Sequence, residues 1–145
     1  MWQLKKAFFR AYQSVFKIAM FAFDWSEPET LEGPGAILKL PEFIKSRGVK
    51  KVLIVTDKGL MGIHLLDSLF EEMTKAGVEY VVYDGTEPNP SIENIEDARQ
   101  LYVDNACEGL IAFGGGSPMD CAKAAGARVA NPRIPVRKMR GVLKL

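Results

Sequence analysis

Three short apolar runs bounded by turn-forming residues organise the chain from position 51 onward. Residues 51–56 (Lys-Val-Leu-Ile-Val-Thr) form a continuous, β-branched run, the pattern of a strand buried on both faces. Residues 78–83 and 109–113 read as two further strands. Between the first two, residues 65–75 carry Leu66, Leu69, Phe70 and Met73 at i, i+3, i+4 and i+7, a helical stripe closed by Gly77. After the second strand the rigid Glu87-Pro88-Asn89-Pro90 loop leads to Ser91, which caps a helix running to about Asn105. The third strand meets Gly114-Gly115-Gly116 and then a helix over 117–129, ended by Asn131-Pro132. Ahead of the first strand, residues 36–47 show helical spacing through Ile37, Leu38, Leu40, Phe43 and Ile44. Pro41 kinks or restarts that helix, and Gly48 is its natural C-cap. Strands alternating with helices of this length predict an α/β, Rossmann-like fold, with a parallel sheet and right-handed crossovers.

The first 23 residues have a different pattern. Leu4, Phe8, Ala11, Val15 and Ile18 recur at helical spacing among Lys5, Lys6, Arg10 and Lys17, which predicts an amphipathic helix. The uninterrupted apolar run, 18–23, is too short to span a bilayer. Lys17 splits the apolar core, and no small-residue cleavage site follows, so a signal peptide does not fit either. The helix is expected to pack on the rest of the protein or on a partner chain, with membrane-surface binding as the minor alternative. Two regions are therefore expected: the helix over 1–23 and an α/β domain over 24–145.

Composition narrows this little. A chain of 145 residues, 48% hydrophobic and 26% charged, suits one globular domain with an appendage. Its formal net charge of +1 gives no argument for nucleic acid. From Cys121 onward there are basic residues (Lys123, Arg128, Arg133, Arg137, Lys138, Arg140, Lys144) and no acidic ones. No aromatic side chain interleaves them, so they read as a solvated terminal segment and not a nucleic-acid arm. Cys107 and Cys121 stand in no metal or redox motif, which predicts small core residues in a reduced, cytoplasmic protein.

The candidate chemistry gathers at the expected carboxyl ends of the strands, where open α/β sheets bind ligands. Gly114-Gly115-Gly116 removes every Cβ from the turn, and the following helix aims unpaired N–H groups and its positive end at the same spot. That combination favours phosphate or pyrophosphate. Ser117 and Asp120 have the spacing of a capping box, and Pro118 falls at the expected first helical position. Asp57, after the first strand, is placed to accept hydrogen bonds from an adenosine ribose and to repel a 2′-phosphate, favouring NAD over NADP. Asn89, held between two prolines, is placed to address a ribose or base. Each has a plainer reading: Asp57 as a cap, Asn89 as a turn residue, the glycines as close packing. The spacing is not G-x-G-x-x-G, so this is a different dinucleotide arrangement.

The segment Gly114-Gly115-Gly116-Ser117-Pro118-Met119-Asp120-Cys121-Ala122-Lys123 resembles the iron-containing (group III) alcohol dehydrogenase family. Val55-Thr56-Asp57-Lys58 and Asp84-Gly85-Thr86-Glu87-Pro88-Asn89-Pro90 share that resemblance. It implies an N-terminal NAD-binding domain with pyrophosphate on Gly115, Gly116 and Ser117. It further implies that Asp57 meets the adenosine side and that Asn89 lines the cleft, with Pro118, Met119 and Asp120 in the same binding stretch. The family also carries a helical domain whose aspartate and three histidines hold a divalent metal, iron or zinc, that polarises the alcohol. This chain has one histidine, His64, and lacks the family's Thr-rich loop. It is therefore expected to be the truncated cofactor half of an NAD-dependent oxidoreductase acting on a primary alcohol or aldehyde, with its metal in a missing C-terminal domain. Alone it is expected to be inactive, with no catalytic or metal-ligating residue, and to self-associate or form a homo-oligomer through exposed apolar surface. The alternative is a non-enzymatic nucleotide-binding or interaction module.

Overall fold

The computed structural model describes residues 2–21 and 28–139, without the side chains of residues 4 and 18–21. Residues 1, 22 and 23 of the expected N-terminal helix, the side chains of Leu4 and Ile18, and the basic residues Arg140 and Lys144 lie outside the described residues. The chain divides into two compact units, Met1–Leu31 and Glu32–Leu145.

The first unit is built on α1 (Trp2–Phe21), a helix of 20 residues. It has aromatic neighbours along its length. The Phe8 and Phe9 rings meet edge-on at 5.8 Å, and those of Tyr12 and Phe16 stack at 6.3 Å.

The second unit holds a three-stranded sheet in the order β2-β1-β3, where β1 is Lys51–Val55, β2 Glu79–Tyr83 and β3 Gly109–Ala112. Both pairings are parallel, with Leu53 opposite Val81 on one side and Leu110 on the other. The central position of β1 explains its unbroken apolar run. Val52, Leu53, Ile54 and Val55 are at most 2% exposed, whereas the outer strands are half-buried.

The helices cover both faces. On one face α2 (Leu40–Ser46) and α4 (Asp67–Ala76) bring Ile44, Leu69 and Met73 against Val52 and Ile54. On the other, α5 (Ile92–Asp104) and α6 (Gly116–Ala130) place Ile95, Ala98, Cys121 and Ala125 against Leu53 and Val55. The expected stripe of α4 buries Leu66, Leu69 and Met73, and Phe70 stacks on Tyr80 of β2 at 4.7 Å. Both cysteines are free and buried core residues.

Local structure departs from the sequence pattern in four places. The segment 36–47 divides into a 3-10 turn (Ala36–Lys39) followed by α2, with Pro41 in the first turn of α2, where a missing N–H costs nothing. A short helix, α3 (Lys58–Gly62), precedes α4; its two glycines hid it from propensity reasoning. The capping box falls at α5, between Ser91 and Asn94, and not between Ser117 and Asp120. Gly115 is the N-cap of α6, so the helix opens on Gly116 and Pro118 stands third.

The reading of Arg128 as part of a solvated segment is also corrected. Arg128 is 8% exposed. Its Nε donates to Glu96 Oε1 at 2.6 Å and its Nη2 to Glu96 Oε2 at 3.3 Å. Nη1 donates to the carbonyls of Asn131, Pro132 and Ile134 at 2.9–3.0 Å. The planar fork of the guanidinium joins α5 to the chain leaving α6, a task lysine cannot perform. Lys123, Arg133, Arg137 and Lys138 are exposed.

Candidate functional site

A cavity of about 540 Å³ opens at the carboxyl ends of the strands, within the range of small-ligand and cofactor sites. Three chain segments line it: Asp57, Lys58 and Gly59 after β1, residues 84–88 after β2, and Gly115, Gly116, Ser117 and Pro118 after β3. Parallel strands point all their carboxyl ends the same way, so three loops far apart in sequence converge there.

The glycines of the turn do different work. Gly114 has φ 136°, and a Cβ there would lie 2.9 Å from both Leu60 Cδ1 and Pro118 Cγ. It is required by the backbone and by packing. A Cβ at Gly115 or Gly116 would meet nothing within 4 Å. Those two positions border open cavity, leaving bare backbone for a ligand to approach. Gly116 and Ser117 are the first two helical residues of α6, whose N–H groups have no partner within the helix. The helix dipole adds positive potential at the same end.

Asp57 performs the plainer of its two roles and keeps the other available. Its Oδ1 accepts the Leu60 N–H at 3.0 Å, capping α3, and it also lines the cavity. Asp57 and Gly85 form an isolated antiparallel bridge that ties the first two loops together. A Cβ at Gly85 would lie 3.0 Å from the Tyr83 ring, so the ring packs closely on that bare backbone.

Asn89 is exposed, with φ 57°, and does not line the cavity. Its backbone N–H donates to Ser117 Oγ at 3.4 Å, joining the Pro-Asn-Pro loop to the start of α6. Met119 is 42% exposed and is not among the residues lining the cavity. Asp120 lies on a separate groove with Ile92, Lys123, Ala124, Ala127, Val136, Arg137 and Met139. Asp57, Gly115, Gly116, Ser117 and Pro118 are thus brought together; Asn89 braces the rim; Met119 and Asp120 stand elsewhere.

Sequence reasoning did not single out Lys58, Asp84, Thr86 and Glu87 as cavity residues. The signal was present: β1 and β2 are adjacent, so the residues following each strand must meet. The cavity wall therefore carries three carboxylates, of Asp57, Asp84 and Glu87, and one ammonium, of Lys58. Beneath it the Cys121 thiol is pushed up from its ordinary value by burial, as is the Tyr83 phenol, which the nearby Cys121 raises further. Neither is an activated nucleophile.

No group of three or more His, Cys, Asp or Glu that could hold a metal ion occurs among the described residues. His64 Nδ1 pairs with Asp67 Oδ2 at 3.1 Å on the surface.

An open parallel sheet, covered on both faces, with its loops enclosing one crevice, is the architecture of the nucleotide-binding α/β domains. The chain belongs to the iron-containing alcohol dehydrogenase family, whose sequence profile matches residues 28–144. It is 40% identical over 107 residues to 1,3-propanediol dehydrogenase of Citrobacter freundii, covering 72% of this chain and 28% of that one. It is 39% identical over 99 residues to choline dehydrogenase of Bacillus subtilis, covering 68% of this chain and 25% of that one. The crystal structure of NADH-dependent butanol dehydrogenase A of Thermotoga maritima superposes with a TM-score of 0.70 at 30% identity, over 79% of this chain and 29% of that one. The chain therefore spans between a quarter and three-tenths of the length of these relatives.

Proposed function

We propose that the cavity at the strand ends is an NAD site and that these residues form the cofactor-binding part of an alcohol dehydrogenase acting on a primary alcohol or aldehyde. The observation that carries this reading is the pair of open positions at Gly115 and Gly116, beside the unpartnered N–H groups that begin α6. A pyrophosphate laid on that backbone would receive hydrogen bonds from Gly116 and Ser117 and the favourable end of the helix dipole. Among the described residues, Lys58 is the cation on the wall that would offset its charge. Asp57, held in place by its cap to Leu60, would meet the adenosine ribose, and Asn89 would act by bracing Ser117. NAD, when bound, supplies the hydride acceptor.

The three carboxylates on the wall favour NAD over NADP, because a 2′-phosphate placed among them meets like charge in a confined space. The butanol dehydrogenase relative is NADH-dependent, and the relatives described above are dehydrogenases of butanol, choline and 1,3-propanediol, each an alcohol. The metal of the family would have its ligands in the remainder of the whole protein, a reading supported by the lack of any three-ligand cluster among the described residues.

The cofactor preference tests the reading through Asp57. Asp57→Ser retains a capping oxygen for Leu60 while removing the charge. The ratio of NADP to NAD affinity, measured by titration of each, is expected to rise about tenfold. An unchanged ratio would remove Asp57 from the account.

A further inference from the structure

We propose that α1 is a docking surface for an anionic lipid membrane, on which it lies parallel to the bilayer. This goes beyond the cofactor reading and does not depend on it. The sequence reading kept membrane-surface binding as the minor alternative to packing on protein; the arrangement of cations and aromatic side chains along α1 is the ground for taking it up here.

Over Trp2–Phe21 there are four cations, Lys5, Lys6, Arg10 and Lys17, and no acidic residue. At about 100° per residue, Lys6, Arg10 and Lys17 fall within one narrow sector of the helix, shared with Gln3, Gln13 and Ser14. The wide remaining arc carries Trp2, Phe8, Phe9, Tyr12, Val15 and Phe16, interrupted by Lys5 alone. Five of those apolar residues are strongly exposed: Trp2 at 68%, Phe8 at 67%, Phe9 at 59%, Tyr12 at 61% and Val15 at 67%.

The chemistry selects the partner. A protein groove would cover an apolar stripe, but it gives no reason for a helix wholly free of acidic residues. An anionic interface accounts for both features: aromatic side chains enter the headgroup region while cations meet lipid phosphates and carboxylates. Lys5, within the apolar arc, is long enough to reach the headgroups from there. Lys6 already lies 5.6 Å over the Trp2 ring, a contact that shields the cation's stem as the ring is buried. A transmembrane arrangement does not fit, because no helix among the described residues is long and apolar enough to cross a membrane.

The experiment is co-sedimentation of the full chain with phosphatidylcholine vesicles and with vesicles containing about three-tenths phosphatidylserine. Binding to the second and not the first is expected, weakening as ionic strength rises from about 0.05 to 0.5 M. Lys6→Gln, Arg10→Gln and Lys17→Gln should each weaken it about fivefold. Phe8→Ser with Phe9→Ser should abolish it, whereas Phe8→Leu with Phe9→Leu should bind like the parent. Circular dichroism confirms that each variant retains the fold. Absence of binding to anionic vesicles overturns the proposal. So does binding that survives deletion of residues 1–21, or lipid-free self-association abolished by the serine pair but not the leucine pair, which would assign the face to a second copy of the chain.

Discussion

Gly114 and Gly115 are adjacent and chemically identical, yet the structure makes opposite demands on them. Gly114 sits at φ 136° with 2.9 Å approaches awaiting any Cβ, while Gly115 has φ −81° and open space beside it. Gly114→Ala is expected to cost about 1–3 kcal/mol in urea denaturation, through strain and overpacking. Gly115→Ala meets no neighbour and should cost less, about 0.5–1 kcal/mol, through the weaker N-cap alone. Equal losses would mean that the turn is one packing device with no separate opening for a ligand. The triple glycine was legible in the sequence as a turn, but its division of labour was not. Which glycine is crowded depends on Leu60 and Pro118, and Leu60 comes from α3, a helix that local propensity did not reveal.

At the scale of elements, α5 and α6 are joined by Glu96 and Arg128 as well as by apolar packing. Replacing Arg128 with Met would take the guanidinium from the Pro132 and Ile134 carbonyls, leave Asn131 O with the Ile134 N–H at 3.1 Å, and leave Glu96 with Arg99 at 3.8 Å. Because Glu96 is about a third exposed, water would compensate in part; a loss of about 2–3 kcal/mol is expected. Arg128→Lys should recover little, since an ammonium cannot form the fork and reach three carbonyls together. A denaturation midpoint equal to the parent's in either variant would contradict this role. The strands were fully legible, because a run such as 51–56 has one comfortable place, the middle of a parallel sheet. The ion pair was not. Arg128 looked like its exposed neighbours in a basic segment, and only the return of α6 beside α5 buries it. Placement of the site follows the same division. Asp57 and the glycine turn were found from local pattern, whereas Asp84, Thr86 and Glu87 depended on which strands are neighbours.

For the whole molecule, burial of titratable groups sets a pH dependence. The thiols of Cys107 and Cys121 and the phenols of Tyr83 and Tyr102 are all raised, in each case chiefly by burial. Each raised acid holds its proton in the folded state at pH values where the unfolded chain has released it. The unfolded state then binds fewer protons, so stability falls as pH rises. The decline should begin near the ordinary thiol value, about 8.5, and steepen toward about 10 as the phenols join. Thermal unfolding followed between pH 7 and 10 checks this; a flat or rising midpoint above pH 9 would contradict it. Family membership fixes the fold of this unit, and the open backbone at Gly115 and Gly116 carries the functional reading. Isothermal titration of the protein and of its Gly115→Asp variant with NAD tests that reading most directly. The variant places a carboxylate at the N-cap of α6, in open space and where aspartate caps at least as well as glycine, so its unfolding midpoint should not fall below the parent's. Measurable binding by the parent and a loss of about tenfold or more in the variant are expected. Equal affinities in two stably folded proteins would contradict that reading.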